Sequence, residues 1–339
     1  MKIAILTHPL EGNYGGILQA YALSTFLKRQ GHEVVILRRF ANNSNIKRII
    51  KQFLISIKYP RYYSPRFKEQ RRFKSKYLKE SKILYSSHEL SKFISKNKFD
   101  IVIVGSDQVW RADFAKSFGY DYFLEFVPSG VKKIAYAASF GLSTWDYSTE
   151  ETKHIQRLLE TFDAVSVREI GGEKLCMDYL NFRAEHVLDP TMLLQVTDYA
   201  NLASPRVISD NYIFIYWLGS KETKKKILES ITDIKIVDIS LTQKDALPSI
   251  EDWLSYIKYA DRVITDSFHG MVFSLLFHKN IKIFPNEKGG NDRILSLFKM
   301  LGIEDKLTQP QSGIDYDRFE RTLSFERHKS ILFLQKNID

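Results

Sequence analysis

A repeated order of short apolar run, polar or glycine-containing turn, and amphipathic segment sets the limits on what this chain can fold into. It begins with Lys2 to Thr7, a run of strand length, followed by a polar loop and a helix predicted from about Gly15 to Gln30, which Gly31 stops. Glu33 to Leu37 reads as the second strand. Strand, loop, helix, strand is the first unit of an open parallel sheet, whose ligands sit where strands end and helices begin. The order resumes with strands at Asp100 to Val104 and Lys133 to Ser139, a helix near Glu150 to Thr161, and strands at Ala164 to Val167 and around His186 to Leu188. Pro190 breaks it, and a domain boundary is expected between Pro190 and Asn211.

The second half restarts the pattern. Tyr212 to Leu218 reads as strand, Glu222 to Ile231 as helix and Ile234 to Ile239 as strand. Ser249-Ile250-Glu251-Asp252 opens a helix to about Tyr259, and Arg262 to Thr265 is a strand. Met271 to Phe277 is the next helix and Ile281 to Phe284 the next strand. The expected architecture is α/β, with two Rossmann-like domains (residues 1–190 and 191–315) facing across a cleft. A surface helix from Tyr316 to Gln335, within residues 316–339, is expected to fold back across the first domain.

At 339 residues the chain has roughly two domains' worth of length, and 44% hydrophobic with 27% charged residues is ordinary globular usage. Cys176 is the sole cysteine, which excludes an internal disulfide and a Cys-rich zinc site. A reducing cytoplasm is expected, with no metal. The apolar run at the N-terminus is too short for an export signal, and no stretch approaches the ~20 apolar residues of a membrane-spanning helix. The net charge of +10 is concentrated between Asn45 and Phe99, where sixteen Lys/Arg face Glu69, Glu80 and Glu89. This basic helical insertion, at about 45–99, fits an amphipathic segment on an anionic membrane face, and equally a pair of solvated helices. Nucleic acid is not an expected partner, because no recognition motif accompanies the charge.

Five segments carry residues suited to chemistry. Asn13-Tyr14-Gly15-Gly16, with Gln19, opens the first helix, where glycine permits close backbone approach and free N–H groups attract anions. Gly105-Ser106-Asp107-Gln108-Val109-Trp110 ends a strand with polar groups and a flat ring of the kind sugars stack on; an Asx-turn with a core tryptophan explains it as well. Arg168 at the next strand end offers a planar fork for carboxylate or phosphate, or a solvated network with Glu169. Asp266-Ser267-Phe268-His269-Gly270 sets a histidine, able to trade protons near neutral pH, close to an Asp266 that could hold its tautomer. In Gly289-Gly290-Asn291-Asp292-Arg293, Asn291 or Asp292 is a candidate cap and Arg293 faces an anion. No Gly-x-Ser-x-Gly elbow surrounds Ser267, and no Gly-Lys-Ser/Thr loop occurs.

Taken in order, and with Asp189-Pro190-Thr191, the first four of these segments resemble the polysaccharide pyruvyl transferase family, a resemblance running from Lys2 to about Leu307. The resemblance implies a GT-B-like fold and transfer of pyruvate from phosphoenolpyruvate, as donor substrate with no cofactor, onto a sugar as a cyclic ketal. The acceptor would be a cell-surface glycan or its lipid-linked precursor, met by a cytoplasmic enzyme resting on the inner membrane face. His269 matches the family's acid or base, and Arg168 and Arg293 suit its anion binders. The Asn13, Gly105, Glu169, Asp266 and Asn291 segments would line the substrate. Several relatives carry Arg where this chain has Ser267, so one anion contact is missing or supplied elsewhere. A sugar-nucleotide-dependent glycosyltransferase and a non-catalytic glycan- or membrane-binding relative are the alternatives on this architecture. If the basic segment binds membrane, the protein co-sediments with anionic but not neutral vesicles, and Glu at Lys47, Arg48 and Lys51 abolishes this; equal sedimentation with both refutes it.

Overall fold

Strands buried on both faces must alternate their side chains between two cores, and the first sheet does so. In β1 (Lys2–Leu6), Ile3 and Ile5 enter one core and Ala4 and Leu6 the other. β4 (Ile101–Val104) divides in the same way, Ile101 and Ile103 against Val102 and Val104. The computed structural model describes residues 1–41, 65–232, 234–240, 246–286, 289–304 and 313–338. The first sheet is parallel, in the order β3-β2-β1-β4-β5-β6-β7. Its other strands are β2 (Glu33–Arg39), β3 (Glu80–Leu84), β5 (Lys132–Ala138), β6 (Ala164–Val167) and β7 (Glu185–His186). The second sheet, also parallel, runs β11-β10-β8-β9. It is built from β8 (Tyr212–Trp217), β9 (Lys235–Ser240), β10 (Arg262–Thr265) and β11 (Asn280–Ile283). In both sheets the order reverses beside a central strand, between β1 and β4 in one and between β8 and β10 in the other.

Twelve helices cover these sheets among the described residues: α1 (Tyr14–Arg29), α2 (Lys68–Tyr77), α3 (Ser87–Asn97), α4 (Ala112–Ala115), α5 (Thr149–Leu159), α6 (Ile170–Leu180), α7 (Val196–Leu202), α8 (Lys221–Glu229), α9 (Ile250–Tyr259), α10 (Phe268–Leu276), α11 (Asn291–Met300) and α12 (Tyr316–Ile338). None is long and apolar enough to cross a membrane.

The basic stretch is not all insertion. Its part from Lys68 to Asn97 forms α2, β3 and α3, and β3 pairs with β2 as the edge strand of the first sheet. Phe73 of α2 is fully buried, and Lys74 is buried beside Glu80 at 3.5 Å. Charge concealed the strand: Glu80 and Lys82 interrupt the apolar pattern, as edge strands tolerate. Lys47 to Lys58 lie outside the described residues.

The C-terminal helix keeps one exposed face, with Phe325 63% exposed, and buries the other. Phe319, Leu323, Phe333, Leu334 and Ile338 of α12 are buried. α12 starts on the second sheet, where the Tyr316 hydroxyl donates to the Lys279 carbonyl at 2.7 Å. It ends on the first, where Arg327 Nε donates to the Met192 carbonyl at 2.7 Å and Ser330 Oγ accepts the Leu188 N–H at 2.9 Å.

One core therefore runs through both halves, and Tyr14 is its clearest joint. Its ring stacks on Trp253 of α9 at 5.3 Å and 9°, and its hydroxyl donates to the Pro248 carbonyl at 2.9 Å. Tyr14 is fully buried, which removes it from the expected substrate contacts. Tyr14→Ala leaves a cavity where the two halves meet and is expected to cost about 3 kcal/mol or more. Urea unfolding measures this, and a loss under 1 kcal/mol would show that the stacked pair does not bind the halves together.

Candidate active site

The carboxyl ends of parallel strands at an order reversal form a crevice, and the two sheets turn theirs toward each other. From the first sheet come Thr7 and His8 after β1, Gly105 to Asp107 after β4, Arg168 and Glu169 after β6, and Asp189 after β7. From the second come Gly219 after β8 and Asp266 to His269 after β10.

Asp189 is the centre of this assembly. Its Oδ2 accepts from Arg168 Nη1 at 2.6 Å and from the Ser106 hydroxyl at 3.1 Å, while Oδ1 accepts the Thr191 N–H at 3.0 Å and hydroxyl at 2.7 Å. His269 Nε2, from the other sheet, lies 3.5 Å from Oδ2. At that separation its alignment makes no hydrogen bond, and Nε2 has no partner among the described residues. Burial would raise the Asp189 carboxyl, but the charges of His269 and Arg168 and these hydrogen bonds outweigh it and hold the pKa far below the usual range.

His269 sits in the first turn of α10, which starts three residues earlier than the pattern suggested. Ser267 is its N-cap, its hydroxyl accepting the Gly270 N–H at 3.3 Å. The imidazole lies against α1: a Cβ on Gly15 would sit 2.1 Å from His269 Nδ1, so only glycine fits there. Asp266 does not hold the His269 tautomer, because its Oδ1 accepts the Leu218 N–H at 2.8 Å and its Oδ2 the Asn286 amide at 3.2 Å. The carboxylate beside His269 is Asp189, remote in sequence.

Arg168 is almost wholly enclosed, between Asp189 and Asp107, with Nη2 3.4 Å from Asp107 Oδ1. Burial alone would lower its pKa, but Asp189, Asp107 and Glu169 raise it, so it is a fixed cation. Asp107 is pulled down to about 2: burial opposes this, and Arg168, His8, His269 and Arg293 more than offset it. Glu169 moves the other way, raised by burial against the pull of Arg168 and Arg293. Its Oε1 accepts the Phe140 N–H at 2.8 Å. Arg293 is pushed down to about 10 by burial and by Arg168, and so remains a cation at neutral pH. Its Nε donates to the Gly290 carbonyl at 3.2 Å. Both guanidiniums lie within cation–π reach of Phe268, at 4.6 and 5.6 Å.

The other expected residues take supporting places. Asn13 caps α1, its Oδ1 accepting the Gly16 N–H at 3.2 Å. Gln19 is fully buried, donating to Thr7 Oγ1 at 3.0 Å and accepting the Ser106 N–H at 3.2 Å, so it fixes strand ends instead of substrate. Gly105 has φ +121°, and a Cβ there would meet the Tyr136 carbonyl at 2.1 Å. Trp110 is wholly buried, stacked on Phe123 at 5.5 Å with Nε1 donating to the Tyr122 carbonyl at 2.9 Å, and presents no face to a sugar. Asn291 does not cap α11; Gly290 does, and Asn291 Oδ1 accepts the Asn286 N–H at 2.8 Å. Asp189 and His8 are the site residues that sequence reasoning passed over, although Asp189 stood in a motif. Among the described residues no group of three or more His, Cys, Asp or Glu is placed to hold a metal ion.

Two facing Rossmann-like domains with a charged crevice at both order reversals define a GT-B-like protein. Its fold is similar to that of a putative UDP-N-acetylglucosamine 2-epimerase from Listeria monocytogenes, with TM-score 0.53 and 11% identity over 100% of this chain and 96% of that one. A second likeness is to UDP-GlcNAc 2-epimerase from Methanocaldococcus jannaschii, with TM-score 0.51 and 13% identity over 96% of this chain and 92% of that one. No curated protein sequence matches significantly. Residues 13–281 match the family model described as polysaccharide pyruvyl transferase, and the chain belongs to that family.

Because the native Asp189 carboxyl lies below its unfolded value near 4, its contribution is present above that pH and lost as pH falls below it. Asp189→Asn is expected to cost about 3 kcal/mol at pH 7, since the buried Arg168 loses an anionic partner. Denaturant unfolding across pH should show the gap from wild type shrinking below about pH 4; a gap independent of pH would refute the assignment.

Proposed function

We propose that the protein moves pyruvate from phosphoenolpyruvate onto two hydroxyls of a sugar in a cell-surface polysaccharide or its lipid-linked precursor, forming a cyclic ketal and releasing phosphate. Family membership supports the reaction class. The observation that carries the site assignment is the meeting of His269 with Arg168, Arg293 and Asp189 where the two sheets face each other.

The reaction adds a proton to the donor's CH2 carbon, which leaves a cation at C2. One sugar hydroxyl attacks C2, phosphate departs, and a second hydroxyl closes the ketal. His269 is assigned the proton transfer to the CH2 carbon. Asp189 Oδ2 lies 3.5 Å from its Nε2, which has no hydrogen-bond partner among the described residues. Arg293 is assigned to the donor's anionic groups. Desolvated, and with Arg168 as a like-charged neighbour, it gains when an anion arrives. Arg168 already has two carboxylates, so its part is to hold Asp189 and Asp107 in place.

Phosphoenolpyruvate at a hundredfold excess over its dissociation constant should stabilise the fold by about 2.7 kcal/mol, seen as a rise in Tm. A response to UDP-sugars and none to phosphoenolpyruvate would favour the glycosyltransferase alternative. His269→Ala should keep this response and slow ketal formation about a hundredfold or more. Arg293→Ala should weaken donor binding, with Arg293→Lys only partly restoring it because lysine lacks the bidentate fork. Near-normal turnover in the first variant, or unchanged donor affinity in the second, would remove that residue from the mechanism.

A further inference from the structure

The order reversal of the first sheet lies between β1 and β4, and the side chain that β1 delivers there is His8. Leu6 pairs with Val104, so continuing the register places His8 beside Ser106, one residue from Asp107. The Thr7 hydroxyl, donating to the Ser106 carbonyl at 3.0 Å, ties the two strand ends together. The His8 ring is wedged edge-on between Phe114 at 5.4 Å and Tyr122 at 5.2 Å. Its Nδ1 lies 3.3 Å from the Tyr122 hydroxyl, while Nε2 is buried with no hydrogen-bond partner among the described residues. Burial lifts the Tyr122 phenol well above its ordinary pKa, so it stays neutral. His8 and His269, one from each half, both help to lower the Asp107 carboxyl.

We propose that His8 is a second proton-transfer residue, acting on the acceptor hydroxyl and on the departing phosphate. The inference rests on the pyruvyl transfer proposed above. That reaction takes one proton from each of two sugar hydroxyls and puts one on the new methyl group and one on phosphate. With Nδ1–H donated to the Tyr122 oxygen, Nε2 of His8 presents a lone pair. As the first hydroxyl oxygen bonds to C2, its proton passes to this Nε2. His8 then gives that proton to the bridging oxygen as the C2–O bond breaks and phosphate leaves with the bonding pair. The second hydroxyl closes on C2, and its proton restores the one His269 gave to the CH2 carbon. Each histidine thus ends the cycle in the protonation state in which it began, His8 serving the first hydroxyl and the phosphate and His269 the methyl group and the second hydroxyl. The charged groups around His8 are Asp107, together with Arg38, Lys74 and Glu80 across a small shared cavity.

The test compares wild type, His8→Gln and His8→Gly with phosphoenolpyruvate and methyl glucoside, galactoside and mannoside, reading phosphate release and ketal mass. His8→Gln is expected to lower kcat about a hundredfold while keeping the phosphoenolpyruvate-induced rise in Tm. Added imidazole should raise the rate of His8→Gly about tenfold and leave wild type unchanged. Turnover by His8→Gln within about threefold of wild type, or a His8→Gly that melts like wild type yet ignores imidazole, overturns the role of His8 and leaves the transfer reading intact. Wild type that yields neither phosphate nor ketal overturns the transfer reading and this inference with it.

Discussion

An isolated carboxylate taken out of water costs several kcal/mol, so a fully buried one persists only where the surrounding chain supplies enough donors and positive charge. Asp189 is such a group, and the crevice is organised by meeting its needs. Two donors from the Thr191 turn, the Ser106 hydroxyl and the Arg168 fork all converge on it. The ends of β4 and β6 and the turn after β7 are thereby locked to one another. The positive charge of Arg168 is then spoken for, and the side chain is a strut more than a free anion receptor. What remains near Asp189 is the His269 ring, 3.5 Å away and carried by the other sheet. A separation of the two halves would remove His269 and leave the rest of the Asp189 network standing.

The position of His269 has a second cause, which is steric. The α1 backbone comes so near the imidazole that a methyl group at Gly15 has no room. One residue earlier, Tyr14 stacks on Trp253 and bonds the Pro248 carbonyl, so the same helix start both joins the halves and fixes the distance between them. Asn13 and Gly15 of that segment are thus explained by helix capping and close approach, with no ligand required.

Much of this was legible in the sequence, and the parts that were not share a reason. Strands with both faces buried announce themselves as continuous apolar runs, as β1, β4 and β8 do, and their order pointed to open parallel sheets with a site at the strand ends. β3 was concealed because it lies at the edge, paired only with β2, where Glu80 and Lys82 cost nothing. Aromatic residues misled for another reason: Trp110 ends a polar loop, and nothing local separates a ring that stacks on sugar from one that stacks on Phe123. Sequence proximity also suggested Asp266 as the partner of His269, whereas the fold brings Asp189 from a strand end in the other sheet. Pairing across two domains is invisible to spacing along the chain.

The charge balance of the crevice decides which cation is available to a ligand. Arg168 has two carboxylates at hydrogen-bond or near hydrogen-bond distance, and its pKa rises in consequence. Arg293 is desolvated, has Arg168 for a neighbour, and is pushed down to about 10. Asp107 and Glu169 offset this only in part. An arriving dianion would therefore gain little at Arg168 and more at Arg293, whose charge the protein only partly balances. Arg293 is carried by α11 of the second half, whereas the carboxylates that neutralise Arg168 belong to the first. On the proposed assignment, an anion held by Arg293 would therefore sit between a cation of the second half and the carboxylates of the first.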